Sequence, residues 1–489
     1  MTHLQYSTTR SGRAWRSREA LVCGLGTALL ASLPLLVTGV AGTAAAPQAQ
    51  QADTQSLFST ADAVFKEMSE ITGLPIKRPL KKQIVNRAQI KQYLIENLKQ
   101  EYTPSELEEQ QAMLKAFGLV SSDFDLEKFT VNFYTEQAAG VYDPLRKTML
   151  IADWVPAAMQ HMVLAHELTH ALQDQSFDLE QFVHGARDDD DATSARQAVV
   201  EGYATASMLQ EMVKPASLAT LPSLAPLMNM AIQQPMTQFP AYSSAPFFFR
   251  YTALFPYSEG IGFMQAGLAH GGWKRLNELF VKPPTETKEI FEPELYFGGG
   301  SPSTGGPLVI EPGASGSPTA GGPVIIEPGK SESVASQPVP AKMTLPSPPT
   351  AATGAGLRRV SSNIMGQLGY YCVLGQLISE EEAKKMAPGW LADRYLIFEN
   401  GATHRLLLVA RTRWSSPETA LAFFRDYHTV LEKKLPGLTP DSRSSGDLFI
   451  GSTSAGQVIL IRQGDECRWA EGVPAAETQA MLAWLRGLD

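Results

Sequence analysis

Apolar positions recur at helical spacing over the first globular stretch of the chain, from about Thr54 to Phe117. Phe58, Val64, Phe65 and Met68 fall on one helical face, and a second amphipathic segment runs around Ile84 to Leu98. Thr103, Pro104 and Glu106 then read as N-cap, first-turn proline and capping-box glutamate of a third helix. Two runs with strand character follow, Thr130 to Tyr134 and Met149 to Ala152, with Gly140-Val141-Tyr142-Asp143-Pro144 between them. The polar, Pro-containing stretch Asp143 to Lys147 reads as a turn. Such a hairpin either offers a strand edge to which an extended peptide adds by main-chain hydrogen bonds, or is a plain structural hairpin. Ala157 to Phe177 carries no Gly or Pro and follows Pro156, which predicts a long uninterrupted helix. Its apolar Met162, Val163, Leu164, Leu168 and Leu172 predict that this helix is buried. A further helix reads ATSARQAVVEGYATASML, preceded by four aspartates, Asp188 to Asp191, expected as a solvated turn with Asp191 as N-cap.

The pattern changes at Gly298. From there to about Gly356 the chain is rich in Gly, Pro, Ser and Ala and contains a duplication, SPSTGGPLVIEPG from Ser301 and SPTAGGPVIIEPG from Ser317, which reads as a linker. Leu357 to Asp489 regains globular patterning. Strand-like runs at Tyr395 to Phe398, Leu406 to Ala410, Leu448 to Ile450 and Val458 to Ile461 alternate with helical patterns at Pro417 to Lys433 and Ala475 to Leu488. No cluster of ligands or nucleophiles appears there, so a packing or substrate-positioning module is expected. At the other end, Arg10, Arg13, Arg16 and Arg18 precede an apolar, small-residue run from Ala20 to Ala46. This is a signal peptide, or an N-terminal anchor long enough to span a bilayer; both place the rest of the chain outside the cytoplasm. The expected organisation is therefore 1–50 signal or anchor, 51–298 catalytic region, 299–356 linker and 357–489 C-terminal module. Loss of Cys23 with the signal leaves Cys372 and Cys467, two cysteines able to pair if the fold brings them together.

At 489 residues, 44% hydrophobic and 19% charged, the chain is long enough for two or three cored domains, and its net charge of −9 argues against a nucleic-acid partner. The oligomeric state is not legible. The chemistry concentrates in His166-Glu167-Leu168-Thr169-His170, an HExxH motif in a chain with only eight histidines. On a helix, His166 and His170 lie one turn apart on one face and can share a metal ion. Glu167 then stands beside the metal, where it can take a proton from a polarised water and pass it to a leaving group. A third ligand is expected at Glu201, a carboxylate among Ala, Val and Gly residues that is costly to bury unless it is paired or metal-bound. His184 and the aspartate run are weaker candidates. The metzincin pattern is excluded, because Gln173 and Ser176 stand where that class needs Gly and His. Two histidines and one glutamate leave a tetrahedral zinc with an open fourth position, the pattern of a catalytic site.

HELTHALQDQ followed by VVEGYAT resembles the gluzincin class of zinc metallopeptidases. More narrowly, GVYDP, LAHELTHALQDQSFDL, VVEGYAT, PYSEGIGFMQAGLAHGGW and PPTETKEIFEPELYF resemble a group of bacterial extracytoplasmic HExxH proteins, over roughly Thr130 to Phe297. APGWLADRY and RTRWSSPETALAFFRDY are similar to the C-terminal part of the same group. Where many of those proteins carry a second acidic residue after EG, this chain has Tyr203. The resemblance implies an α+β fold with a mainly helical zincin-like metallopeptidase region, a short mixed sheet and a smaller C-terminal α/β module. It implies one Zn2+ held by His166, His170 and Glu201, with Glu167 as general base, acting on a peptide or protein substrate in a secreted, periplasmic or membrane-anchored setting. Gluzincins commonly donate a hydrogen bond to the developing oxyanion from a Tyr or His, and Tyr257 and His270 are the candidates here. Two other functions fit the same residues: a metal-stabilised envelope scaffold, and a zinc hydrolase of a non-peptide amide.

Overall fold

A computed structural model describes residues 47–186, 188–298 and 342–488. The arginine-flanked apolar segment, up to residue 46, and the duplicated stretch within 299–341 lie outside the described residues. The architecture is α+β: helices around a three-stranded mixed sheet, then a seven-stranded antiparallel sheet with its own helices.

Helix α1 (Pro47–Thr72) buries Val64, Phe65 and Met68, the face its spacing predicts. Strand β1 (Lys81–Val85) went unpredicted because KKQIV has only two apolar residues. After α2 (Arg87–Glu101), α3 (Pro104–Ala116) starts on the expected capping box: Thr103 accepts from Glu106 N, and the Glu106 carboxylate accepts from Thr103 N. The Thr130–Tyr134 run, expected as strand, lies inside α4 (Leu126–Gln137). Asp125 caps that helix, and Leu126, Thr130, Phe133 and Gln137 are buried along one helical face. Cap and burial together override the strand preference of Thr130, Val131, Phe133 and Tyr134. The hairpin is formed instead by β2 (Gly140–Asp143) and β3 (Thr148–Ala152). Its turn is the expected one, closed by the Asp143 carboxylate, which accepts from Leu145 N and Arg146 N. Strand β3 is central, parallel to β1 and antiparallel to β2, so β2 is an edge.

The uninterrupted helix α5 (Ala157–Phe177) follows, then α6 (Leu179–His184), α7 (Asp190–Val213), α8 (Ala225–Met236), α9 (Pro240–Ser243) and the apolar α10 (Phe247–Ala269). Helices α7 and α10 meet backbone to backbone. A Cβ at Gly202 would stand 2.7 Å from the Gly260 carbonyl carbon, and one at Gly260 would stand 2.8 Å from Ala198 O, so only glycine permits the approach. Short helices α11 (Gly272–Glu278), α12 (Thr287–Phe291) and α13 (Pro293–Phe297) complete this region. Among the described residues, no helix is long and apolar enough to cross a membrane.

The C-terminal region comprises α14 (Thr350–Thr353), β4 (Leu357–Asn363), α15 (Gly366–Leu377), α16 (Glu380–Met386), β5 (Trp390–Asn400) and β6 (Leu406–Trp414). It continues with α17 (Pro417–Lys434), β7 (Thr439–Pro440), β8 (Leu448–Thr453), β9 (Gly456–Gln463), β10 (Glu466–Val473) and α18 (Thr478–Arg486). The sheet order is β4-β5-β6-β10-β9-β8-β7, antiparallel throughout. The expected α/β module is thus an antiparallel sheet. The links β5–β6, β8–β9 and β9–β10 are hairpins, too short for the crossover that parallel strands require. Period-two alternation divides its side chains: Tyr395, Ile397, Leu408, Ala410 and Trp469 share the large core, while Leu396, Phe398, Leu407, Val409 and Ala470 pack in a second core with Met481 and Leu485 of α18. Leu345 and Ala352, assigned to the linker by composition, are buried in that second core, so residues 342–356 belong to the packed module.

The two regions share one core. Tyr371 stacks on Tyr251 at 4.3 Å, Phe117 meets Tyr395 edge-on at 5.3 Å, and Lys288 Nζ donates to the carbonyls of Pro388 and Trp390. Asp188 is exposed, but Asp189 to Asp191 sit in this junction rather than in solvent. Asp189, not Asp191, is the N-cap of α7. Asp191 is buried and accepts from Thr287 N and Thr287 Oγ1, while Asp190 N donates to Asn363 Oδ1. Cys372 and Cys467 are both free and buried in different elements, with Cys467 Sγ donating to Ala420 O, so the pairing that the sequence left open does not form.

Candidate metal centre

Helix α5 presents His166 and His170 one turn apart, and α7, packed against it, supplies Glu201. The three side chains converge on one point. His166 Nε2 lies 3.1 Å from Glu201 Oε2, His170 Nε2 lies 3.4 Å from the same oxygen, and the two Nε2 atoms are 3.0 Å apart. Metal–ligand bonds of about 2.0–2.1 Å in a tetrahedron place ligand atoms about 3.3 Å apart, so these separations suit one small dication. The charge balance agrees. Glu167 and Glu201 are buried within 2% exposure, and among the described residues neither pairs with Lys or Arg; Glu201 has only the two histidines beside it and Glu167 has no ion pair, so a bound dication would offset two buried carboxylates.

The groups behind the ligands are as specific. His170 Nδ1 donates to Gln173 Oε1 at 2.8 Å, which turns the Nε2 lone pair toward the site. Gln173 Nε2 in turn donates to Val200 O at 3.0 Å, the residue before Glu201, so one amide ties both ligand helices. Thr169 Oγ1 and Ser207 Oγ, 2.6 Å apart, join the same helices next to the site. Sequence reasoning used Gln173 only to exclude a metzincin. Its position three residues after His170, hence on the same helical face, was the signal of its role.

Glu167 points at the edge strand. Its Oε2 accepts from Tyr142 N at 2.8 Å, and a Cβ at Gly140 would stand 2.9 Å from Val163 Cγ1 and 3.5 Å from Glu167 Cγ, so glycine lets β2 lie directly on α5. The rest of HALQDQ holds this arrangement. Asp174 accepts from Tyr142 Oη, Lys147 Nζ and Arg78, and Gln175 accepts from Lys77 N and Arg78 N. Burial holds His166 down at about 4 and raises Glu167 to about 8; a dication alongside Glu167 acts in the opposite sense. Burial alone would lower His170, but the Glu201 charge and hydrogen bond raise it to about 9. Burial would raise Glu201, but the histidines hold it at about 2.

Of the two oxyanion-donor candidates, Tyr257 is buried with its ring centroid 6.0 Å from that of His166. His270 ends the same helix thirteen residues later, about 20 Å along the axis at 1.5 Å per residue, and is half-exposed near Glu294, so it is not part of the site. His184 pairs with Glu180, and neither it nor the aspartate run joins a metal-binding group among the described residues. Tyr203 faces away from the metal ligands: its hydroxyl donates to Asn277 Oδ1 and its ring meets Trp273 edge-on. A second cluster, Glu67, His161 and Glu211, lies nearer the surface, with Lys214 on Glu67.

Residues 355–482 match the family model described as a domain of unknown function (DUF8575), which covers the C-terminal sheet module and none of His166, His170 and Glu201. No curated protein and no solved structure matches the chain.

Proposed function

We propose that this chain is an exported zinc-dependent peptidase of gluzincin type, which hydrolyses peptide bonds with Glu167 as general base. The observation that carries this reading is the convergence of His166 Nε2, His170 Nε2 and Glu201 Oε2 beside a carboxylate, Glu167, that is not itself one of the three converging groups. His166, His170 and Glu201 would hold a Zn2+ ion, with Gln173 fixing the His170 tautomer, and the ion would supply Lewis-acid polarisation of a substrate carbonyl and an attacking water. Glu167 takes the proton of the attacking water and returns it to the leaving amine. Tyr257, whose ring centroid lies 6.0 Å from that of His166, is the proposed donor to the substrate carbonyl. The surrounding Val163, Leu164, Leu168 and Val200 exclude water, which strengthens each of these electrostatic interactions.

One observation favours a second reading, a metal that only holds the helices together: every one of these groups is buried, and Glu167 is engaged by Tyr142 N. Metal analysis and an unbiased peptide-library digest, run on wild type, Glu167→Gln and Glu201→Ala, separate the two. The peptidase keeps zinc and loses hydrolysis by orders of magnitude in Glu167→Gln, and loses zinc in Glu201→Ala. Undiminished hydrolysis in Glu167→Gln rejects the mechanism; full zinc occupancy in Glu201→Ala rejects the ligand assignment. A structural metal shows zinc and no hydrolysis in the wild type.

A further inference from the structure

Away from the metal centre, a cavity of about 1280 Å³ opens between α3 and the start of α10 on one side and the C-terminal sheet module on the other. Its charges are unevenly satisfied. Each carboxylate in its wall is already paired: Glu108 and Glu399 share Arg358, at 2.7 and 3.1 Å, Glu399 also meets His404, and Glu471 pairs with Lys434 at 2.7 Å. Three cations of the wall, Lys115, Arg250 and Lys433, have no ion pair among the described residues; Lys115 exerts only a longer-range pull on exposed Asp123. Arg250 Nε is buried without a hydrogen-bond partner, a costly state for a guanidinium donor. The same wall holds the N-terminus of the 23-residue α10, where Pro246 makes no side-chain cap but Phe248 N donates to Gln376 Oε1, so this helix end is already partly satisfied and the surplus rests on the three cations. Between these donors the wall is apolar, with Leu119, Phe247, Leu377 and Leu408.

We infer that this cleft binds an acidic peptide segment with interspersed apolar residues, held jointly by the two regions. Surplus donors on both walls require an acceptor-rich, negatively charged ligand. Apolar patches between them suit side chains that bury, and a cleft of about 1280 Å³ has room for a chain of several residues. Such a site positions a protein away from the metal and does not depend on the zinc being catalytic.

The test uses the full chain and short fluorescent peptides alternating Glu with Leu, Gln with Leu, or Lys with Leu, followed by anisotropy. The Glu peptide is expected to bind about tenfold tighter than the Gln peptide and to weaken as salt rises. Arg250→Gln combined with Lys433→Gln should lower its affinity about tenfold, with zinc content unchanged. Lys433 is exposed, so Lys433→Glu alone cannot fail by unfolding and should weaken binding in the same direction. Equal binding of Glu and Gln peptides, or unchanged binding in both variants, overturns the proposal. So does displacement of the Glu peptide by an equal concentration of citrate, which would mark a small-anion site.

Discussion

Replacing Gln173 by Ala tests the metal centre at a residue that touches no metal. In the structure the Gln173 amide accepts from His170 Nδ1 at 2.8 Å and donates to Val200 O at 3.0 Å. Ala removes both bonds and leaves the buried His170 Nδ1–H without an acceptor, a loss of about 1–3 kcal/mol in the metal-free protein. The imidazole is then free to rotate or change tautomer, so Nε2 no longer presents its lone pair by default. Loss of a partner behind a ligating His costs about 10–100-fold in metal affinity, or about 1.4–2.8 kcal/mol. The assay is competition with a chromophoric zinc chelator at neutral pH, beside urea unfolding of the metal-free protein to isolate the structural part. Gln173→Glu keeps the acceptor for His170 and should recover most of the affinity while lacking the donor to Val200. Zinc affinity in Gln173→Ala equal to wild type would refute the view that this amide aligns the ligand.

Gly202→Ala would force a methyl onto the Gly260 backbone where α7 crosses α10, and overpacking of this kind costs about 2 kcal/mol; a Tm equal to wild type would exclude the close approach. Glu466, on the central strand β10, would be raised by burial, but hydrogen bonds from Arg411, Arg468 and Arg413 hold it down at about 2. Its contribution is therefore complete above its ordinary value of 4.5 and lost as pH falls through about 2, and Glu466→Gln should cost about 3 kcal/mol at neutral pH and flatten that acid limb in a pH series of denaturant melts. A protease site inserted within 299–341 should yield two fragments that co-elute on gel filtration, because the regions on either side share a core; separate elution would show that the shared core does not hold them.

The two helices that bring His166, His170 and Glu201 together were legible because their signals are local. An HExxH helix needs only 3.6-residue spacing, and Glu201 stood out as a carboxylate among small apolar residues. The capping box at Thr103 and the Asp143 turn were legible for the same reason: cap and turn chemistry act within four residues. What sequence hid was decided at long range. Thr130–Tyr134 has strand-forming residues, but its partners are helices, and burial of Phe133 and Gln137 on one face settled it. Asp188 to Asp191 reads as a solvated turn until the C-terminal module supplies Asn363 and α12 supplies Thr287. Strand β10 escaped notice because ECRWAEGV carries Glu466, Arg468 and Glu471, charges that look exposed until Arg411, Gln463 and Lys434 are placed opposite them.

The C-terminal module bears on the candidate metal centre through α7. That helix carries Glu201 in its middle, and its first turn is fixed by contacts on the junction with the module. Asp191 accepts from Thr287 at both backbone and hydroxyl, Thr287 Oγ1 also accepts from Leu368 N of α15, and Asn363 of β4 accepts from Asp190 N. Gly366, at positive φ, lies so close to Asp191 that any Cβ there would overlap its carboxylate. Its neighbour across the turn is fixed as well, since Asp393 accepts from Met365 N and Gly366 N. Burial raises Asp191 well above its ordinary range, so the side chain is held in a fully bonded, dry junction rather than as a free surface charge. Ten residues separate Asp191 from Glu201, about 15 Å of continuous helix. A change at Gly366 would therefore be felt at Glu201 along α7 without touching the candidate metal centre, and the module is packed support for the helix that carries Glu201 rather than an appended domain.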